Sequence, residues 1–245
     1  VEAAAFVSPR AVPAMAGADE VFASIERRAD VRYWALVPNA KGAELAVAAG
    51  ADALTITVSA SEAYSQANIR RSVAEAISGV ADIVAAAGHR PVDTVISCAF
   101  GSPYEGESVG PFDVAAIVEQ VQAAGSTAVT LADTTGMATP DTVADVLTAT
   151  GSDVRLHLHD TRGTALTNAF AAMQLGVRAF DTAVGGLGGS RGAGGNLATE
   201  DLVHLCDGLG VDTGIDLAAM VGAAARVATL VGRPVPSRVT ATLGG

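Results

Sequence analysis

The sequence predicts an α/β fold, and within that class a (β/α)8 barrel. Three observations point there. Apolar, β-rich runs alternate with Ala-rich helical patterns along the whole chain, which is the signature of a parallel sheet with helices outside it. The 245 residues match the roughly 250 that eight strand–helix units occupy. No composition shift or linker breaks the alternation, so one domain over residues 1–245 is expected. A doubly wound sheet is the competing architecture, but it stops at about five or six strands and often carries a Gly-rich turn after the first.

Taken in order, the expected strands are 2–7 (EAAAFV), 32–38 (RYWALVP), 53–59 (ALTITVS), 93–100 (DTVISCAF), 128–133 (AVTLAD), 154–160 (VRLHLHD) and 179–185 (AFDTAVG). The clearest helices are 67–88 and 112–125, each with apolar residues at helical spacing and a Gly at the end. Thr139 as N-cap, Pro140 at the first helical position and Gly151 as a stop bracket another, and 199–210 reads as a further helix. Seven strands leave a barrel one short. The chain opens VEAAAFVSP, with neither Met nor a leader, so the missing strand is expected to be the first, upstream of Val1.

The totals exclude some functions. A formal charge of −11 repels phosphate backbones, so nucleic-acid binding is not expected. No apolar run reaches the roughly 18 to 20 residues of a membrane span, and nothing resembles a signal peptide. Cys98 and Cys206 are the only cysteines, which suits a reducing, cytoplasmic setting rather than a disulfide framework. Both read as packing residues.

In a barrel, chemistry gathers at the C-terminal ends of the strands. His157 and His159 stand two apart in VRLHLHD, between Leu156 and Leu158. Strand side chains alternate, so the two imidazoles share one face, and a neutral pair at that spacing can bind one cation. The plainer reading is two hydrogen-bonded core histidines. Asp133 ends its strand as a catalytic acid or base, a partner of a histidine, or a cap of the loop that follows. Glu2 sits in an apolar strand, where an unpaired carboxylate is costly, so it is either paired at the mouth or functional, and the functional reading is preferred. The loop GGLGGSRGAGGN (185–196) lacks either phosphate-binding glycine pattern and reads as a lid. Asn196 closes it and can offer a carbonyl oxygen to a metal. Glu200 and Asp201 suit a helix N-terminus on electrostatic grounds alone.

Six blocks, VEAAAFVSPRAVPAMA, TVSASEAYSQANIRRSV, CAFGSPYEG, LADTTGMATP, HLHDTRGTALTNAFAAMQLGVRAFDTAVGGLGG and GNLATEDLVHLCDGLGVDTG, closely resemble the 3-hydroxy-3-methylglutaryl-CoA lyase family of the DRE-TIM metallolyase superfamily. The resemblance implies a (β/α)8 barrel. It also implies cleavage of a 3-hydroxyacyl-CoA to acetyl-CoA and a keto acid, acetoacetate in the parent reaction, with a divalent cation. It assigns His157, His159 and Asn196 as metal ligands, and matches Glu2, Asp133, Glu200 and Asp201 to active-site or supporting positions. The family's fourth ligand, an Asp, and a carbonyl-polarising Arg belong to a first strand with no counterpart here. Mixed imidazole and oxygen ligands suit Mg²⁺ or Mn²⁺.

One departure bears on chemistry. Where the family's lid carries a catalytic Cys, this chain has Ser190, and the loop is shorter. An acyl-CoA substrate and a homodimer are the partners expected. Two alternatives stay open: a sister lyase or aldolase with another substrate, and a catalytically silent barrel that serves as a binding partner.

Overall fold

The computed structural model describes residues 1–189 and 194–243. Seven parallel strands are described, the number read from the sequence, and strand order follows chain order. The chain divides into two compact units, Val1–Ser97 with Tyr104–Thr130, and Cys98–Pro103 with Leu131–Gly245.

The first unit holds β1 (Glu2–Ala5), α1 (Ala18–Ser24), β2 (Trp34–Leu36), α2 (Ala40–Ala48), β3 (Ala53–Ser59), α3 (Glu62–Ile69), α4 (Val73–Ser78), α5 (Val80–Ala87), β4 (Val92–Ser97), α6 (Pro111–Ala123) and the start of β5 (Ala128–Asp133). Parallel pairing runs β1 to β2 to β3 to β4. Leu54, Ile56, Val92 and Ile96 are almost wholly buried, and α2 packs on α5. Strands covered on both faces are buried at nearly every position, as β3 and β4 are.

The helix expected over 67–88 is three pieces. Arg70 takes a left-handed φ of 58° and ends α3. Ser72 then opens α4 with a reciprocal capping box: its hydroxyl accepts from the Glu75 amide at 3.1 Å, and the Glu75 carboxylate accepts from the Ser72 amide at 2.8 Å. Gly79 separates α4 from α5. Two satisfied backbone donors at Ser72 outweigh the continuity that apolar periodicity alone suggests.

The second unit takes the end of β5 and continues through α7 (Pro140–Thr150), β6 (Arg155–Leu158), α8 (Ala165–Gln174), β7 (Ala179–Asp181), α9 (Thr199–Gly208), α10 (Leu217–Val231) and α11 (Arg238–Leu243). Its α7 begins as expected, with the Thr139 hydroxyl accepting from the Thr142 amide at 3.3 Å and Pro140 at the first position. β6 pairs with β7 in parallel, with His157 opposite Asp181. Leu131, Leu156 and Leu158 fill the core.

Candidate functional site

His157 lies on β6 and His159 just beyond it. Leu156 and Leu158 are buried on the other face, so the imidazoles do share a side. Their Nε2 atoms stand 3.1 Å apart. Asn196 arrives through an isolated antiparallel bridge to His159, and its Oδ1 lies 3.1 Å from His157 Nε2. The Asn196 amide nitrogen donates to the Leu187 carbonyl at 2.8 Å, which fixes Oδ1 as the atom turned to the histidines. On the other side of His157, Nδ1 faces Asp181 Oδ2 at 3.6 Å.

His159 is 5 % exposed. Burial, helped by the neighbouring His157, pushes its pKa down to about 4, so its ring is neutral at pH 7. The Nε2 atoms of both rings and Asn196 Oδ1 are turned toward one another, so three atoms able to donate to a cation meet at one place. Two nitrogens and an amide oxygen also match the donor types of a mixed-ligand divalent cation. Separations near 3.1 Å suit adjacent positions around an ion with bonds of roughly 2.0 to 2.2 Å. The donor set therefore fits a metal, although among the described residues no group of three His, Cys, Asp or Glu converges on one point.

Asp133 ends β5 and is 2 % exposed. Its Oδ1 accepts from the amides of Met137 (2.7 Å) and Ala138 (3.1 Å), while Oδ2 is buried with no hydrogen-bond partner among the described residues. Burial raises the pKa of this carboxyl above the ordinary value, against the pull of those amides.

Both carboxylate oxygens of Glu200, which is wholly buried, accept from the Gly185 amide, at 2.9 and 3.1 Å. Asp201 accepts from the Ser237 hydroxyl and from the amides of Arg238 and Val239 at the start of α11. Both carboxylates are thus committed to holding backbone. Asp160, directly after the pair, caps α8 by accepting from the Ala165 amide at 3.0 Å. Glu2 belongs to the first unit, where it is the first residue of β1 and is exposed, so the expected cost of burying its charge does not arise. Ser190 lies outside the described residues. Asp181 carried no role in the sequence reading beyond its place in a strand, and its contact with His157 depends on a β6–β7 register that no motif announces.

The sequence model of the HMGL-like family matches residues 9–227. The chain belongs to this family. An HMGL-like chain at this level of likeness is a carbon–carbon lyase of the hydroxymethylglutaryl-CoA lyase type. It is 40% identical to a 3-hydroxy-3-isohexenylglutaryl-CoA/hydroxy-methylglutaryl-CoA lyase of Pseudomonas aeruginosa, over 99% of this chain and 84% of that one. It is 42% identical to an (R)-citramalyl-CoA lyase of Chloroflexus aurantiacus, over 98% and 81%. Among solved structures, an HMG-CoA lyase from Acinetobacter baumannii in complex with coenzyme A and 3-methylmalate superposes with a TM-score of 0.91 at 40% identity, covering 99% of this chain and 82% of that one. The HMGL-like fold seen here is accordingly of the TIM-barrel-like α/β class, as expected from the sequence. Among the described residues no helix is long and apolar enough to cross a membrane.

Proposed function

We propose that this chain cleaves a 3-hydroxyacyl-CoA between C2 and C3, giving acetyl-CoA and a keto acid, with 3-hydroxy-3-methylglutaryl-CoA and acetoacetate as the parent case. The convergence of His157 Nε2, His159 Nε2 and Asn196 Oδ1 carries the reading. These three residues hold a divalent cation, Mg²⁺ or Mn²⁺. When bound, the cation supplies positive charge for the oxyanion that forms at C3.

The chain's own groups do the rest. The low pKa of His159 keeps its ring an electron-pair donor. Asp181 Oδ2 stands 3.6 Å from His157 Nδ1, on the side from which a carboxylate orients a metal-binding histidine once the two close to hydrogen-bond distance. Asp133 takes the C3 hydroxyl proton at Oδ2, the oxygen that no backbone group occupies. A carboxylate with a raised pKa is a stronger base than an ordinary one. Loss of that proton lets the C2–C3 bond break, C3 becomes the ketone, and the electron pair passes to C2 as the acetyl-CoA enolate. The enolate then takes a proton from water, and Asp133 returns to water the proton it took from the hydroxyl, so the step balances without the family's lid thiol. A thiol, ordinarily near pKa 8.5, can give the enolate that proton, and a serine hydroxyl is a far poorer donor.

In a second reading the same chemistry acts on a different 3-hydroxyacyl-CoA. The 42% identity to an (R)-citramalyl-CoA lyase supports it. Steady-state turnover of 3-hydroxy-3-methylglutaryl-CoA and (R)-citramalyl-CoA, by the unaltered protein and by Ser190→Cys, tests both. General acid catalysis is worth roughly 10²- to 10⁴-fold, so the parent reading expects Ser190→Cys to raise cleavage of the methylglutaryl ester about tenfold or more, with unchanged metal affinity. Faster turnover of the citramalyl ester by the unaltered protein selects the second reading. Normal metal binding with no turnover of either ester, in both proteins, leaves the silent barrel.

A further inference from the structure

Thr161 follows the histidine pair by two residues. Its hydroxyl accepts from the Gly194 amide at 2.9 Å. A Cβ built on Gly194 meets the Thr161 Cα at 2.6 Å, and one built on Gly136 meets the Thr161 Cβ and Oγ1 at 2.6 Å. Real Cβ contacts are not that short, so Thr161 is wedged between two backbones that approach only because both residues are glycine.

Those backbones belong to different parts of the site. Gly136 lies in the turn after Asp133 and donates its amide to the Asp133 carbonyl at 3.1 Å. Arg162 closes the same turn by donating to the carbonyls of Thr135 (2.7 Å) and Gly136 (2.9 Å). Gly194 stands two residues before Asn196. From there the chain zips along the end of β6: the Asp160 amide donates to the Gly195 carbonyl at 2.7 Å, and the Leu197 amide to the Leu158 carbonyl at 2.9 Å. The Thr161 hydroxyl is the side-chain tie of this zip on the Gly194 side.

We propose that Thr161 is a positioning residue for Asn196. Its hydroxyl fixes the 194–196 segment so that Asn196 Oδ1 meets His157 Nε2, and its wedge against Gly136 ties that segment to the turn that carries Asp133. The inference rests on the reading that His157, His159 and Asn196 hold a divalent cation. Groups that orient a metal ligand are worth about 10- to 100-fold in affinity.

The test is Mn²⁺ affinity of the whole chain, read from the paramagnetic resonance of free Mn²⁺, in the unaltered protein and in Thr161→Val, Thr161→Ala, Thr161→Ser, Asn196→Ala and the Thr161→Val/Asn196→Ala double variant. Thermal melts confirm folding, and Thr161→Ala stands in, alone and paired with Asn196→Ala, if the valine variant is unfolded. The expected result is about tenfold weaker binding without the hydroxyl, recovery in Thr161→Ser, and no further loss in the double variant beyond Asn196→Ala. Unchanged affinity in the hydroxyl-free variants overturns the proposal. So does a serine variant as weak as valine, or losses that multiply in the double variant. If the unaltered protein binds no Mn²⁺, the metal reading itself falls and takes this inference with it.

Discussion

Asp133 answers to two opposed demands. A carboxyl with a raised folded pKa stabilises the fold below its unfolded value, and that contribution is lost as pH rises through the raised folded value. The ionised form of Asp133, which a general base needs, is therefore the form the fold favours less. Asp133→Asn keeps an oxygen for the Met137 and Ala138 amides and removes the charge. It is expected to melt higher than the unaltered protein at neutral pH, with the gap closing as the pH falls toward the ordinary carboxylate value, and to lower kcat by roughly 10²- to 10⁴-fold. Melting curves at several pH values and turnover on the preferred ester check both halves. An asparagine variant that loses stability and keeps activity contradicts the role given to Asp133. The residue types at the site were legible because they are rare: four histidines in the chain, two of them at strand spacing. The duties of Glu200 and Asp201 were not legible in full. A carboxylate at a helix start reads the same in sequence whether it faces a substrate or, as here, the Gly185 amide or the first turn of α11.

At the scale of elements, strands buried on both faces announced themselves and helix ends did so unevenly. Thr139–Pro140 marked the start of α7 correctly because Thr and Pro there satisfy or remove donors that a helix leaves open. Loss of that cap in Thr139→Ala is expected to cost about 1 kcal/mol in denaturant unfolding, without altering turnover. A stability change well below that means the 3.3 Å bond to Thr142 contributes little. Ser72–Glu75 carried an equally good capping signal inside an apolar periodicity that masked it, and there α4 begins afresh. β6 shows the complementary case. Its four residues, RLHL, are too short for pattern alone to separate from a buried helix turn, and it was the alternation of Leu and His that identified it.

On the scale of the whole molecule, a net charge of −11 meets a substrate that is itself an anion. The protein's long-range field opposes approach, and salt screens it over a length that shrinks from about 30 Å at 0.01 M to about 8 Å at 0.15 M. KM for the acyl-CoA ester is expected to fall over that range, and a KM that rises instead means local cations near the site dominate. The order of strands and the seven-block alternation were legible across the chain. The meeting of Asn196 with His157 was not legible from spacing, because 39 residues separate them; only the resemblance joined them, and the structure brings them to 3.1 Å. The most direct test of the account is cleavage of 3-hydroxyacyl-CoA esters by protein stripped with a chelator, before and after Mg²⁺ or Mn²⁺ is restored, alongside His159→Ala. The stripped protein is expected to show no turnover and to recover with the cation, and His159→Ala is expected not to recover. Full activity in the stripped protein, or a His159→Ala variant that the cation restores completely, contradicts the metal reading.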